Sequence, residues 1–125
     1  MNNLNSILIE GNLVEDAMLS NTEAGSVICS FTIASNRYYK SGDGMEKEVG
    51  FFNIESWGRL AEVCHEHGYK GRGAKIVGRL KQSRWRVAKG QSHSRIFIVA
   101  EHIEFRPDSV KQRDEPRKEA VAECA

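Results

Sequence analysis

No stretch of this sequence approaches the roughly 18 consecutive apolar residues of a membrane span, so a transmembrane helix is not expected. The opening "MNNLNSILIEGNL" has no basic segment leading into an apolar run, so no signal peptide is expected either. Cysteine is sparse. Cys29, Cys64 and Cys124 are odd in number and lack framework spacing, and they read as reduced thiols in a cytoplasmic setting. Metal ligands are no more plentiful: Cys64, His65 and His67 stand together, but no second pair follows at usable spacing, and His93 and His102 fall in other segments. Neither a metal nor a cofactor is expected. Net charge is nearly absent, with 18 Lys and Arg against 17 Asp and Glu, so bulk charge identifies no partner. The carboxylates are scattered, which leaves metal-assisted or acid–base catalysis without a candidate site and argues against an enzyme. With 125 residues and no internal repeats, the chain is one domain with a modest core.

Alternation of apolar residues dominates what is present. "SILIEGNLVED" reads as a first strand whose Gly11 marks a bulge or bend. After turn chemistry in "TEAG", "SVICSFTIAS" alternates at Val27, Cys29, Phe31 and Ile33. "SGDG" at 41–44 is a turn, so this strand and the following "FFNIESWG" form a hairpin with a long arm. In that second strand, alternation sends Phe52 and Ile54 one way and Phe51, Asn53, Glu55 and Trp57 the other. The period then changes: Leu60, Val63 and Cys64 recur at helical spacing, and Gly68 suits a helix C-terminus. "AKIVGRLKQSRWRV", a turn at "AKGQ" and "SRIFIVAEHIEF" complete the pattern. Five strands with one short helix after the third predict an all-β, five-stranded Greek-key barrel of the oligonucleotide-binding (OB-fold) kind. Residues 1–105 are expected to form the domain. Residues 106–125, of mixed charge and without aromatics, are expected to be a mobile tail, within which "RKEAVAECA" could turn helical transiently or against a partner.

Charge is segregated although it nearly cancels. Between His67 and Glu101 lie Lys70, Arg72, Lys75, Arg79, Lys81, Arg84, Arg86, Lys89 and Arg95, with no acidic residue among them. Such a run is the footprint of a polyanion partner, although a solvated edge that discourages aggregation has the same composition. Strand parity adds to the first reading. In "GRLKQSRW", Gly78 and Leu80 are expected to face the core, which turns Arg79, Lys81 and Trp85 outward together. Phe51 and Trp57 repeat the theme, and Tyr39 follows Arg37 at the end of "FTIASNRYY". Each ring alone is explained as well by a subunit interface or a second core layer. Rings interleaved with cations on two strands answer a more definite need: flat bases stack on aromatic faces while phosphates take the cations. Duplex recognition calls for an element that enters a groove, and the single short helix is not basic enough.

The pieces "GNLVED", "SFTIASNR", "WGRLAEV", "KG" before "AKIVGRLKQSRW", and "IFIVAEHIEF" resemble, in order and spacing, the bacterial single-stranded DNA-binding proteins over residues 4 to 105. The resemblance implies an OB-fold barrel, commonly a homotetramer wrapped by single-stranded DNA in replication, recombination and repair. It places the stacking positions on Tyr39, Phe51, Trp57 and Trp85, and phosphate-contacting cations on Arg59, Lys70, Lys81 and Arg84. With Arg79 and Arg86 from the basic run, these are the candidate nucleic-acid contacts. Three departures stand out. Asn53 occupies a place where some members carry arginine, Ala17 follows Asp16 where proline is usual, and the chain ends "EAVAECA" rather than in an acidic tip. Docking of replication and repair proteins through such a tip is therefore not implied. The rival reading is a primosome-type adaptor on the same barrel that works mainly through protein contacts.

Overall fold

The structure, a computed structural model, describes residues 1–87 and 89–107 and the backbone of 121–123. In chain order the elements are β1 (Ile7–Leu13), β2 (Met18–Asn21), β3 (Val27–Ser41), β4 (Gly44–Trp57), α1 (Gly58–His67), β5 (Gly73–Arg86), β6 (Ser92–Phe105) and β7 (Val121–Glu123). Strand order is β1-β5-β6-β4-β3-β2, and an additional β1–β3 pairing closes β1, β5, β6, β4 and β3 into a ring. Those five are the strands expected from alternation. The short β2 lies outside the ring on β3, and β7 lies on β6.

Ring closure depends on close backbone approach. Asn12 and Leu13 pair with Ala34 and Ile33, and a Cβ on Gly11 would stand 2.6 Å from the Ala34 carbonyl oxygen. The register from Ile7 opposite Gly78 to Asn12 opposite Gly73 runs unbroken through Gly11. This glycine is therefore not a bulge; it is the place where two backbones meet. The irregularity lies between Val77 and Gly78 of β5, where the pairing passes from His102 to Ala100 and leaves Glu101 of β6 without an opposite residue.

The core follows the expected parity. Phe31 and Ile33 of β3, Ile54 of β4, Ile76 of β5, and Ile103 and Phe105 of β6 are buried together with Leu13. Helix α1 covers them with Leu60, Ala61 and Cys64. Its last turn ends at the buried Gly68, whose N–H donates to the Cys64 carbonyl. Cys29 and Cys64 are buried free thiols, and Cys124 lies outside the described residues.

Both long hairpins outrun the barrel. β3 and β4 pair without interruption from Ile28 opposite Trp57 to Ser41 opposite Gly44, and β5 and β6 from Gly78 opposite Ala100 to Arg86 opposite Ser92. This extension corrects the expectation for Leu80. It lies opposite the buried Ile98, but β1 ends its pairing at Gly78, and past that point nothing covers the strand. Leu80 is 44% exposed. The Asn5 side chain takes over the edge there: its amide donates to the Leu80 carbonyl at 2.8 Å and its Oδ1 accepts the Leu80 N–H at 2.9 Å.

The expected tail, 106–125, begins with ordered contacts. Arg106 donates its N–H to the Gly73 carbonyl, and its own carbonyl accepts from Arg72 Nε at 2.6 Å. Its guanidinium pairs with Glu10. Val121–Glu123 is extended and antiparallel to β6 at His102–Glu104. Residues 108–120 and 124–125 lie outside the described residues.

Candidate nucleic-acid interface

The unbroken β3–β4 register puts Phe51, Asn53, Glu55 and Trp57 on one side of β4. Opposite them on β3 stand Ala34, Thr32, Ser30 and Ile28. Phe51 is 66% exposed, and Trp57 is half-buried. Polar groups occupy the space between the two rings. The Thr32 hydroxyl donates to Asn53 Oδ1 at 2.9 Å, and Trp57 Nε1 donates to Glu55 Oε1 at 3.0 Å. Glu55 Oε2 lies 3.4 Å from the Arg95 guanidinium, which itself lies over the Phe97 ring at 4.5 Å. The indole is thus tethered by its polar edge. Phe52 turns to the other side, where its ring lies over the backbone of Gly50 on the arm instead of entering the core.

Tyr39 is half-buried, with the Arg37 guanidinium 5.1 Å from its ring centroid. Uninterrupted alternation gives Tyr39 the parity of Phe31 and Ile33, opposite to that of Phe51 and Trp57. Its neighbour Tyr38 has the parity of Phe51 and is 62% exposed. Sequence reasoning passed over Tyr38, although counting alternate residues along "FTIASNRYY" distinguishes the two tyrosines.

On β5 the irregularity at Val77/Gly78 lies upstream of the cationic stretch. Arg79, Lys81 and Trp85 therefore share one side, as alternation implied, while Arg84 and Arg86 take the other. All five are exposed. Trp85 stacks on its cross-strand partner His93, with centroids 6.0 Å apart and planes 23° apart. The two rings belong to a cleft of about 500 Å³ that also includes Gln82, Arg84 and Arg86. Gln82 accepts a 3.1 Å hydrogen bond from Arg84, and Arg79 pairs with Glu101 at 3.6 Å. His93 is a further ring that composition alone gave no reason to single out; its signal is its register opposite Trp85.

Arg59 is exposed on the first turn of α1, directly after Trp57. Lys70 is exposed in the loop after α1, and that loop is pinned because Asp16 Oδ1 accepts the Lys70 N–H at 2.8 Å. Arg72, a member of the basic run, is withdrawn from the surface. It is buried against the rings of Tyr69 and Phe105, and burial lowers its pKa from the ordinary guanidinium value. Among the described residues, no group of His, Cys, Asp and Glu is arranged to hold a metal, and no helix is long and apolar enough to cross a membrane.

The chain matches the model of the single-strand binding protein family over residues 4–106. It is 41% identical over 105 residues to a single-stranded DNA-binding protein of Treponema pallidum, a match covering 84% of this chain and 59% of that protein. It is 31% identical over 119 residues to one from Aquifex aeolicus, covering 93% and 80%. A solved structure of a Plasmodium falciparum SSB in complex with ssDNA shares the fold, with a TM-score of 0.70 at 16% identity over 80% of this chain and 89% of that one. The chain spans about three fifths of the length of the Treponema pallidum protein and of a Helicobacter hepaticus relative. With a family match that takes in every strand of the closed barrel, the chain belongs to the single-strand binding protein family.

Proposed function

We propose that this protein binds single-stranded DNA without overall sequence preference, stacking bases on Tyr39, Phe51, Trp57 and Trp85. Arg59, Lys70, Arg79, Lys81, Arg84 and Arg86 neutralise the phosphates. The observation that carries this reading is the state of the rings. Phe51 is two-thirds exposed, and Trp85, 44% exposed, stands in a cleft with Arg84 and Arg86. Burying large rings is ordinarily favourable, so exposed rings beside cations on extended arms are best accounted for by a planar, anionic partner. Every base has a π-face, so stacking of this kind tolerates any sequence.

The mode of action is mass action rather than catalysis. A protein that binds the open strand and not the duplex pulls the equilibrium toward the open strand. Such a protein protects and unfolds DNA during replication, recombination and repair in the bacterial cytoplasm. A homotetramer is the assembly that fits this role.

Titration with a long thymidine oligonucleotide tests the reading. Binding should quench the fluorescence of Trp57 and Trp85. The logarithm of affinity should fall linearly with the logarithm of salt, with a slope of about −0.7 per phosphate neutralised. Tight binding without quenching rejects the stacking. Weak binding at low salt favours a protein-contacting adaptor on the same barrel.

A further inference from the structure

On the outer side of β3 and β4 lies a second cleft, of about 320 Å³, whose lining includes Ile28, Thr32, Asn53, Glu55, Arg95 and Phe97. It is separate from the cleft at Trp85 and begins beside Trp57, because Ile28 stands directly opposite that residue. Its volume is at the lower end of the ~300–1,000 Å³ typical of small-ligand clefts. Its charge is wrong for a phosphate. Glu15 and Glu55 both line it, and its one lining cation, Arg95, is paired with Glu55. A carboxylate only 14% exposed, set between two stacking rings on a surface for a polyanion, calls for an explanation other than phosphate binding.

We propose that this cleft takes the edge of one base and favours bases that carry an exocyclic amino group, cytosine above all, over thymine. The proposal rests on the single-stranded DNA reading and adds one position of base preference to it. An ionised carboxylate only accepts hydrogen bonds, and its two oxygens offer about four lone-pair sites. Trp57 Nε1 and Arg95 each engage one oxygen, which leaves acceptor capacity at both. Asn53 spends its Oδ1 on the Thr32 hydroxyl and keeps two N–H donors. Acceptor and donor thus stand two residues apart on the same side of β4.

Cytosine presents the complement, with N4–H donating to the carboxylate and N3 accepting from the amide. Carboxylates accepting from cytosine N4 are an established mode of base reading. Thymine in the same pose sets its O4 carbonyl against the carboxylate and its N3–H against the amide donors. Like then meets like at both places. The half-buried indole beside the cleft supplies the stacking face, and Phe97 and Ile28 supply apolar walls.

The test compares oligo-dC and oligo-dT of equal length, titrated against the wild-type protein and against Glu55→Gln. The variant retains an amide oxygen to hold Trp57 Nε1 and preserves the side-chain shape, so the fold and the indole tether survive. Circular dichroism checks the first, and tryptophan emission of the free protein checks the second. Affinity for oligo-dC should fall about fivefold or more, with oligo-dT changed by less than about twofold. Asn53→Ala should shift the same ratio in the same direction. If Glu55→Gln changes both affinities by one common factor, Glu55 acts only on Trp57 or on the general field, and the proposal is overturned. If it changes neither, the cleft is not occupied by a base, which also overturns it. A wild-type protein that binds neither oligonucleotide removes the single-stranded DNA reading itself, and the cleft proposal with it.

Discussion

Exposure and burial of single residues separate binding from stability here. Phe51 and Trp85 project from arms outside the core cluster, so truncating either removes little that holds the barrel together. Phe51→Ala and Trp85→Ala should each cost about 1–3 kcal/mol of single-stranded DNA affinity and leave the thermal midpoint within a degree or two of wild type. A gel-shift titration paired with a melting curve reads both, and a large loss of melting temperature would make these rings structural. Cys29 and Cys64 are the converse case. Burial pushes their thiols up from 9.0 to about 11 and about 12, so the folded protein holds these protons at a pH where the unfolded chain releases them. Stability rises with pH only where the unfolded state binds more protons. Here the folded state binds more, so this contribution is complete below about pH 9 and is lost as pH climbs toward 11–12. Urea midpoints measured across that range should fall less steeply for Cys64→Ala than for wild type. A thiol reagent should label both cysteines only as the protein unfolds.

Among the elements, the barrel strands and the long arm of the first hairpin were readable, and what covers each side of an arm was not. Alternation set Phe31 and Ile33 on one side of β3 and Ile54 on one side of β4, and those positions are core because other strands cover them. The same alternation misplaced Leu80 because parity indicates which side a residue faces and not whether anything lies on that side. Tyr38 and Tyr39 show the limit again: adjacent rings have opposite parity, and only the continuous register from Ile28 to Ser41 decides which one joins Phe51. At Gly11 the unbroken register excludes the bulge and leaves the bend, with a close backbone approach as the reason for glycine. A glycine inside a strand marks either a bulge or a close approach, and the deciding neighbour, Ala34, is remote in sequence. The distinction has a measurable consequence. Gly11→Ala should destabilise the protein by about 1–3 kcal/mol, the usual cost of overpacking, because the new methyl meets a backbone carbonyl that cannot rotate away. Gly44→Ala, at the tip of the first arm with open space around it, serves as the control and should be nearly neutral. Equal denaturant midpoints for the two variants would mean that β1 and β3 do not meet as described.

For the whole molecule, closure ties together segments far apart in the chain, and this is where the expected boundary at residue 105 needs a physical criterion. Composition changes after Phe105, yet Arg106 continues the fold. Its N–H donates to the Gly73 carbonyl, its carbonyl receives Arg72 Nε, and its guanidinium pairs with Glu10 of β1. Arg72 is the buried cation of the basic run. Without the Arg106 carbonyl its Nε–H loses its acceptor, while another of its N–H groups still donates to the Tyr69 hydroxyl. An unpaired N–H on a buried charge costs more than an exposed pair contributes. We therefore set the domain's end after Pro107. Two shortened proteins decide the matter, one ending at Phe105 and one at Pro107. Both lose Val121–Glu123 and its pairing with β6, so that loss cancels in the comparison. The longer form should be more stable by about 1–3 kcal/mol, read as a higher urea midpoint. Both should bind an oligonucleotide equally at temperatures where both are folded, because the proposed contacts lie between Tyr39 and Arg86. Equal midpoints would show that the Arg72 guanidinium finds water in place of the Arg106 carbonyl, and the domain would then end at Phe105, as composition alone suggests.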